Sequence, residues 1–180
     1  MGPYHDRVDT WTAISTRRNV RRFSERAIPP EELDRVVDAA RLAPSSKNEQ
    51  RWAFVVCTDR DHLRELAHVG DYAGHLGSAT AAIAIVTPNA ADAEERESIA
   101  FDAGQATENA MLAAWELGIG SSHASVYDEV LARELLAYPG DMRCDVLISL
   151  GYPADPAIFE RPPRDRRPLG EVRHHERYDQ

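Results

Sequence analysis

The chain has 180 residues, 43% of them hydrophobic and 28% charged, with a formal net charge of -9 at neutral pH. That length leaves room for one domain with a real core, and the acidic balance argues against a nucleic-acid partner, which needs a broad basic face to release counterions. No run of about 18 apolar residues occurs, so no membrane span is expected, and the acidic start "MGPYHDRVDTW" lacks the apolar core of a signal peptide.

Taken in chain order, "VDTWTAIST" reads as a short first helix running into the loop "RRNVRRF", Arg17 to Phe23, where β-branched residues and Asn19 weaken helix propensity. The basic residues concentrate there and again at Arg161 to Arg167. Two compact arginine clusters on an acidic chain suit a small anion better than a polyanion; from charge alone, solvated loops remain an equal reading. "PPEELDRVVDAARLA" is a second helix. Prolines sit at its start, acidic residues favour its positive end, and Leu33, Val36, Val37 and Ala40 form the buried stripe.

The polar turn "APSSKNEQ" leads into "WAFVVC", which reads as a buried strand. "DRDHLRELAHV" is a short amphipathic helix and "ATAAIAIVTP" a second buried strand. The longest helix is expected from about Ser98 to Leu117, with a stripe at Ala103, Ala106, Ala110, Ala113 and Ala114 that could pack on this chain's own core or on a second copy. "GIGSSHAS" reads as a glycine-serine loop. "YDEVLARELLAY" is another helix, and "CDVLISLGY" a third buried strand. The part from Ala154 onward is rich in proline and charge, a composition normally expected to be disordered. The expectation is helices around a small, doubly covered sheet, an α+β or three-layer αβα arrangement in a single domain over residues 1–180. Cys57 and Cys144, far apart, are expected to be buried and reduced, in keeping with a cytoplasmic protein.

Many common chemistries leave no trace: there is no phosphate loop, dinucleotide fingerprint, serine elbow, C-x-x-C or H-E-x-x-H. "HHE" at His174 to Glu176 lacks a third well-placed ligand, so no metal is expected. What remains is an ordered set of weak marks: "RRNVR", "APSSKNEQRW" followed by "AFVVC", "LGIG", "LGYP" and "RRPLGEV". Together they resemble the FMN-dependent nitroreductase family, over about Ile14 to Tyr178. Two departures stand out: Asn19 where serine is usual, and Arg51 where proline is usual.

The resemblance implies an αβα sandwich that forms a homodimer with one FMN in each interfacial cleft. The alanine stripe would then be a dimer seam, and residues 154–180 an extended arm around the partner. Arg17 and Arg18 should hold the FMN phosphate with Asn19 as a neutral donor, joined by Arg166 or Arg167, because guanidinium grips phosphate bidentately. Arg21 should stabilise negative charge on the N1–C2=O edge of the ring. Pro44, Ser45, Ser46 and Asn48 match the turn offered to the flavin from the partner subunit, with Gln50 fixing that turn; an Asx- or Ser-type turn is the plainer role. Ser125 and Val126 match the place where a backbone N–H faces flavin N5. His123 and His75 are more readily loop histidines than proton donors, and Trp52 and Phe54 more readily core residues. The implied activity is hydride transfer from NADH or NADPH through flavin N5 to a small acceptor, nitroaromatic or quinone, in ping-pong fashion, with no catalytic side chain required. Rival readings are a non-catalytic flavin-binding or storage module, and a specialised chemistry on the same fold: FMN fragmentation, dehalogenation or azoline oxidation.

Overall fold

The computed structural model describes residues 9–162 and 165–178; the first eight residues and four positions of the proline-rich tail lie outside it. Four strands form one antiparallel sheet in the order β1-β2-β4-β3: β1 (Ala53–Cys57), β2 (Ala81–Pro88), β3 (Gly120–Ser125) and β4 (Met142–Gly151). Among the described residues, six α-helices accompany it: α1 (Thr10–Thr16), α2 (Pro30–Arg41), α3 (Arg60–Leu66), α4 (Ala93–Glu116), α5 (Glu129–Leu136) and α6 (Leu169–Val172).

The central strands are apolar on both faces because helices cover both. On one side Ile83, Ile85, Ile148 and Leu150 meet Leu33, Val36 and Ala40 of α2 and the small residues of α4. On the other, Ala82, Ala84 and Leu147 meet Leu63 and Leu66 of α3 and Ala132 and Leu136 of α5. This is the expected three-layer αβα arrangement. A third, smaller cluster joins Ala13, Val20, Phe23 and Trp115 to Ile158 and Phe159. The proline-rich segment therefore begins by docking on its own chain, with the Phe159 ring 4.4 Å from that of Trp115.

Four expectations need correction. "GSSHAS" is strand β3, not a loop. Its small residues carry little strand propensity, but pairing along β4 supplies what the side chains do not. β1 is an edge strand, half exposed, with Val56 41% accessible, because β2 covers only one of its edges. α4 starts five residues earlier than expected, at Ala93, where the Asp92 carboxylate accepts the Glu95 N–H at 2.8 Å as a helix cap. The alanine stripe is not free to form a seam between copies: Ala103, Ala106, Ala110 and Ala114 are buried in this chain's own core, against α2 and the sheet. Cys57 and Cys144 are both buried and unbridged, as expected.

Candidate functional site

The arginine loop is set down directly on the end of the sheet. Asn19 bridges Ser121 in parallel fashion, and the Val20 N–H donates to the Ser121 carbonyl at 2.8 Å. Further on, the Ser24 N–H donates to Tyr152 O at 2.8 Å and Phe23 bridges Pro153. Two glycines permit this. Gly120 and Gly151 face each other across β3 and β4. A Cβ on Gly120 would lie 2.7 Å from Val20 Cβ, and one on Gly151 would lie 2.8 Å from Phe23 Cδ1. With no side chains there, Val20 and Phe23 sink onto the strands and the arginines between and beside them stay nearer the surface. Arg17 Nε donates to Glu108 of α4 at 2.9 Å, and its terminal nitrogen to Asn19 Oδ1 at 3.2 Å. Arg18 donates to the carbonyl oxygens of Arg161 and Pro162. Arg21 is exposed, and among the described residues no hydrogen bond or ion pair engages its guanidinium.

β3 is the other wall. The Val126 N–H donates to Asp145 O at 3.1 Å, so this pair continues the hydrogen-bonded positions of the ladder. Antiparallel pairing alternates, which turns the backbone groups of Ser121, His123 and Ser125 away from β4. The Ser121 carbonyl meets Val20; the N–H groups of His123 and Ser125 point away from β4, and Gly70 packs against the Ser125 carbonyl on that side. Asp145 fixes this end. Burial pushes its carboxyl up, but hydrogen bonds from Arg96 (2.7 and 2.9 Å) and Arg143 (2.9 Å) outweigh that and hold it below the usual range, since partners of opposite charge favour the ionised form. Behind the edge lies His75, buried at 8% exposure, its Nδ1 2.7 Å from Ser149 Oγ. Burial first, then the positive charge of Arg21, lower its pKa, both acting against the charged ring. His123 itself is exposed on the strand.

The polar turn has its own anchors. Lys47, Asn48 and Gln50 all take left-handed backbone, with φ 51°, 58° and 51°. Each costs on the order of 1 kcal/mol for a residue with a side chain. The Gln50 N–H donates to Ser45 Oγ at 3.0 Å and its side chain to Asn48 O at 3.3 Å, so Gln50 does fix the turn. The Ser46 N–H donates to both oxygens of Asp102, 3.1 Å each. Arg51 reaches Glu49, Glu95 and Asp102 at 3.1, 3.4 and 3.6 Å, and Ser98 Oγ at 2.8 Å. Pro44, Ser46 and Asn48 are not buried: Pro44 and Asn48 are exposed, as is Ser46, and Ser45 is half-buried. Sequence reasoning missed Asp102 and Arg51 as anchors. The signal was present: an aspartate interrupts the apolar stripe of the long helix, between Ile99 and Ala103.

The structure sets the first loop beside β3 through Asn19 and Val20 on Ser121, with Arg17 reaching α4 and Arg18 the tail segment. It does not bring the turn to this loop. Asp102, which holds Ser46, precedes Glu108, which holds Arg17, on the same helix. That interval is about 9 Å along α4 and about 240° around it. Arg166 and Arg167 bond within the tail, to Asp165 O and to Glu171. The described residues hold no cluster of three metal-ligating side chains, and none of their helices is long and apolar enough to cross a membrane.

Comparison with known proteins decides the family. The profile of the Nitroreductase family matches residues 14–70 and 71–152. The chain belongs to the nitroreductase family. An Archaeoglobus fulgidus protein, provisionally named NADH dehydrogenase/NAD(P)H nitroreductase, is 37% identical over 150 residues, covering 81% of this chain and 86% of that one. Among solved structures, an FMN-dependent nitroreductase from Clostridium difficile R20291 is 27% identical, with a TM-score of 0.79 over 92% of this chain and 98% of that one. The NADPH:FMN oxidoreductase from Vibrio harveyi, solved with NAD+, is 23% identical and shares the fold, with a TM-score of 0.83 over 95% and 78% of the two chains. In this chain the second glycine of "LGIG" and the glycine of "LGYP" are the two that seat the arginine loop. Arg51, one of the two departures from the family pattern, is the ion-pair hub of the polar turn.

Proposed function

We propose that this chain is an NAD(P)H-dependent flavin oxidoreductase that binds FMN along the outer edge of β3 and acts as a homodimer, with residues 1–180 as one FMN-binding unit in the cytoplasm. The observation that carries this reading is the placing of an unpaired arginine, Arg21, beside a strand edge with outward N–H groups, next to Arg17 and Asn19. The names of the Archaeoglobus and Clostridium relatives support the same chemistry.

The residues present fit FMN. Arg17, Arg18 and Asn19 supply charged and neutral donors for a phosphate of charge near -2. Each hydrogen bond to such a group contributes roughly 1.5–3 kcal/mol, and Arg166 or Arg167 would add a further cation from the tail. Arg21 would hold the N1–C2=O edge, a fixed charge that needs no reorganisation when negative charge develops there. Of the two positions in the N5 contact, Ser125 is the donor, because the Val126 N–H is spent on Asp145. When bound, FMN would supply hydride chemistry, accepting from NAD(P)H and passing to a small acceptor such as a nitroaromatic or quinone, the two substrates taking turns in one cleft.

The dimer is supported by what one chain leaves incomplete. The Pro44–Asn48 turn stands apart from the strand edge, with polar groups exposed, so the turn of a second copy would complete the cleft. Trp11, Ile14, Leu169 and Val172 are exposed, as is Phe101 of α4 at 71%.

Purified protein should be yellow with bound flavin and should bleach without oxygen on addition of NADH or NADPH. A yellow protein that neither donor bleaches points to a storage module. Changing Arg17 and Arg21 together to Ala should give a colourless, folded protein; stoichiometric flavin in that variant would sink the assignment of the loop.

A further inference from the structure

Gly70 is a third glycine with no room for a side chain, and the function above does not use it. A Cβ there would lie 2.5 Å from the Ser125 carbonyl oxygen and 3.1 Å from Tyr127 Cδ2. Among the described glycines only Gly118 has a left-handed backbone, so turn geometry is not what calls for glycine at position 70. Close approach of one backbone to another is.

The residue before it supplies the hold. Val69 is fully buried in the core on the α3 side of the sheet. Its carbonyl accepts two N–H groups, from Tyr127 at 2.8 Å and from Asp128 at 2.9 Å. Its own N–H donates to Leu66 O at 3.3 Å, at the end of α3, and Gly70 O accepts the Ala73 N–H at 3.0 Å to close the next turn. From the other direction, the Val126 N–H reaches Asp145 O, and Asp128 caps α5 by accepting the Leu131 N–H at 2.9 Å. The exit of β3, Ser125 to Asp128, is therefore gripped between β4 and the chain that leaves α3.

Ser125 stands where the two grips meet. Its N–H and C=O both face away from β4, because antiparallel pairing alternates. The C=O is backed by Gly70, and the N–H leaves the same edge of the same exposed residue. A push on the one re-aims the other.

We propose that Val69 and Gly70 are positioning residues for the Ser125 N–H: they clamp the exit of β3 and so set the direction of the donor offered to flavin N5. The clamp stands on the contacts of this chain; what its donor meets rests on the flavin reading. N5 accepts a hydrogen bond only while it lacks a hydrogen of its own, so a well-aimed donor favours the oxidised ring. Hydrogen bonds weaken steeply as they bend. A methyl group at position 70 would displace the Ser125 carbonyl and spoil that aim without touching Arg17, Arg18 or Asn19.

The test compares Gly70→Ala with Gly74→Ala, a change nearby with open space around it. In flavin-free protein, Gly70→Ala should move the Ser125 amide resonance and speed exchange at Tyr127 and Asp128, while Gly74→Ala leaves all three as they are. Unmoved resonances and unchanged exchange in Gly70→Ala would overturn the clamp, whatever the protein binds. In FMN-loaded protein, Gly70→Ala should weaken oxidised FMN about threefold to tenfold relative to reduced FMN, the range for one hydrogen bond. That reads as a rise of about 15–30 mV in the two-electron reduction potential. A lower melting temperature with an unchanged or lower potential would make Gly70 a structural residue only and overturn the proposal. Should neither protein bind FMN while Ser125 still moves, the clamp stands and the flavin reading falls. If Gly70→Ala does not fold, the native protein decides. Its Tyr127 and Asp128 amides should exchange slowly with and without FMN, and rapid exchange at either in the flavin-free protein would overturn the clamp.

Discussion

The carboxylate of Asp102, 3% exposed within α4, accepts the backbone N–H of Ser46 through both its oxygens. It thereby holds in place a turn in which three residues with side chains take left-handed backbone. Asp102→Ala should cost about 1–3 kcal/mol in chemical denaturation, the range for leaving a buried polar partner unpaired. It should also speed amide exchange at Ser46, and Asp102→Asn, which keeps one acceptor oxygen, should be milder on both counts. Equal exchange at Ser46 in all three proteins would show that the turn holds itself.

The seating of the arginine loop on Gly120 and Gly151 leaves no space for a methyl group at either position. Gly151→Ala should destabilise the fold by about 1–3 kcal/mol through overpacking against Phe23. On the flavin reading it should also weaken FMN affinity well beyond Gly140→Ala, a change at a site with open space around it. Fluorescence titration of FMN into the three proteins measures the difference.

Burial keeps His75 below its ordinary pKa of 6.5. The folded chain therefore binds fewer protons at His75 than the unfolded chain as pH drops, and stability follows that difference. The stability this contributes is fully present above about pH 6.5 and is lost as pH falls below it. Melting temperature should therefore fall more steeply below that pH in the native sequence than in His75→Gln. Parallel curves would assign the acid sensitivity to other groups, such as Asp145, which loses its ion pairs only at lower pH.

Burial pushes the Cys57 thiol up to about 11 and the Cys144 thiol up to about 12. Only thiolate reacts readily, so both cysteines should resist a thiol reagent at about pH 8 until the protein is unfolded. The native thiols keep their protons at pH values where unfolded thiols lose them. Stability should therefore decline as pH rises above about 9. Rapid labelling of two thiols per folded chain would contradict this.

The layers of the fold were legible where residues carried a period or an unbroken apolar run. α2 announced itself by its prolines, acidic first turn and stripe; β2 and β4 by their long apolar runs. β3 was not legible, because Gly120 to Ser125 are small and mostly polar and owe their strand to the neighbour they pair with. The arginine loop and the polar turn could be picked out as candidates, but only through their likeness to a family. Their supports could not. What Glu108 and Asp102 do depends on contacts across 91 and 56 positions of chain, and Arg51 reaches partners 44 and 47 positions away, which no local pattern encodes. His75 looked like a loop residue because burial by Ser149, 74 positions away, is likewise invisible in the sequence.

α4 serves as a ruler. It carries both carboxylates, Asp102 for the polar turn and Glu108 for Arg17, and a helix turns about 100° with each residue. Inserting or deleting one residue between those two positions would swing one carboxylate a quarter-turn or more away from its partner. Length variation in this protein should therefore be tolerated before Asp92, where the chain is exposed, and refused inside that short interval.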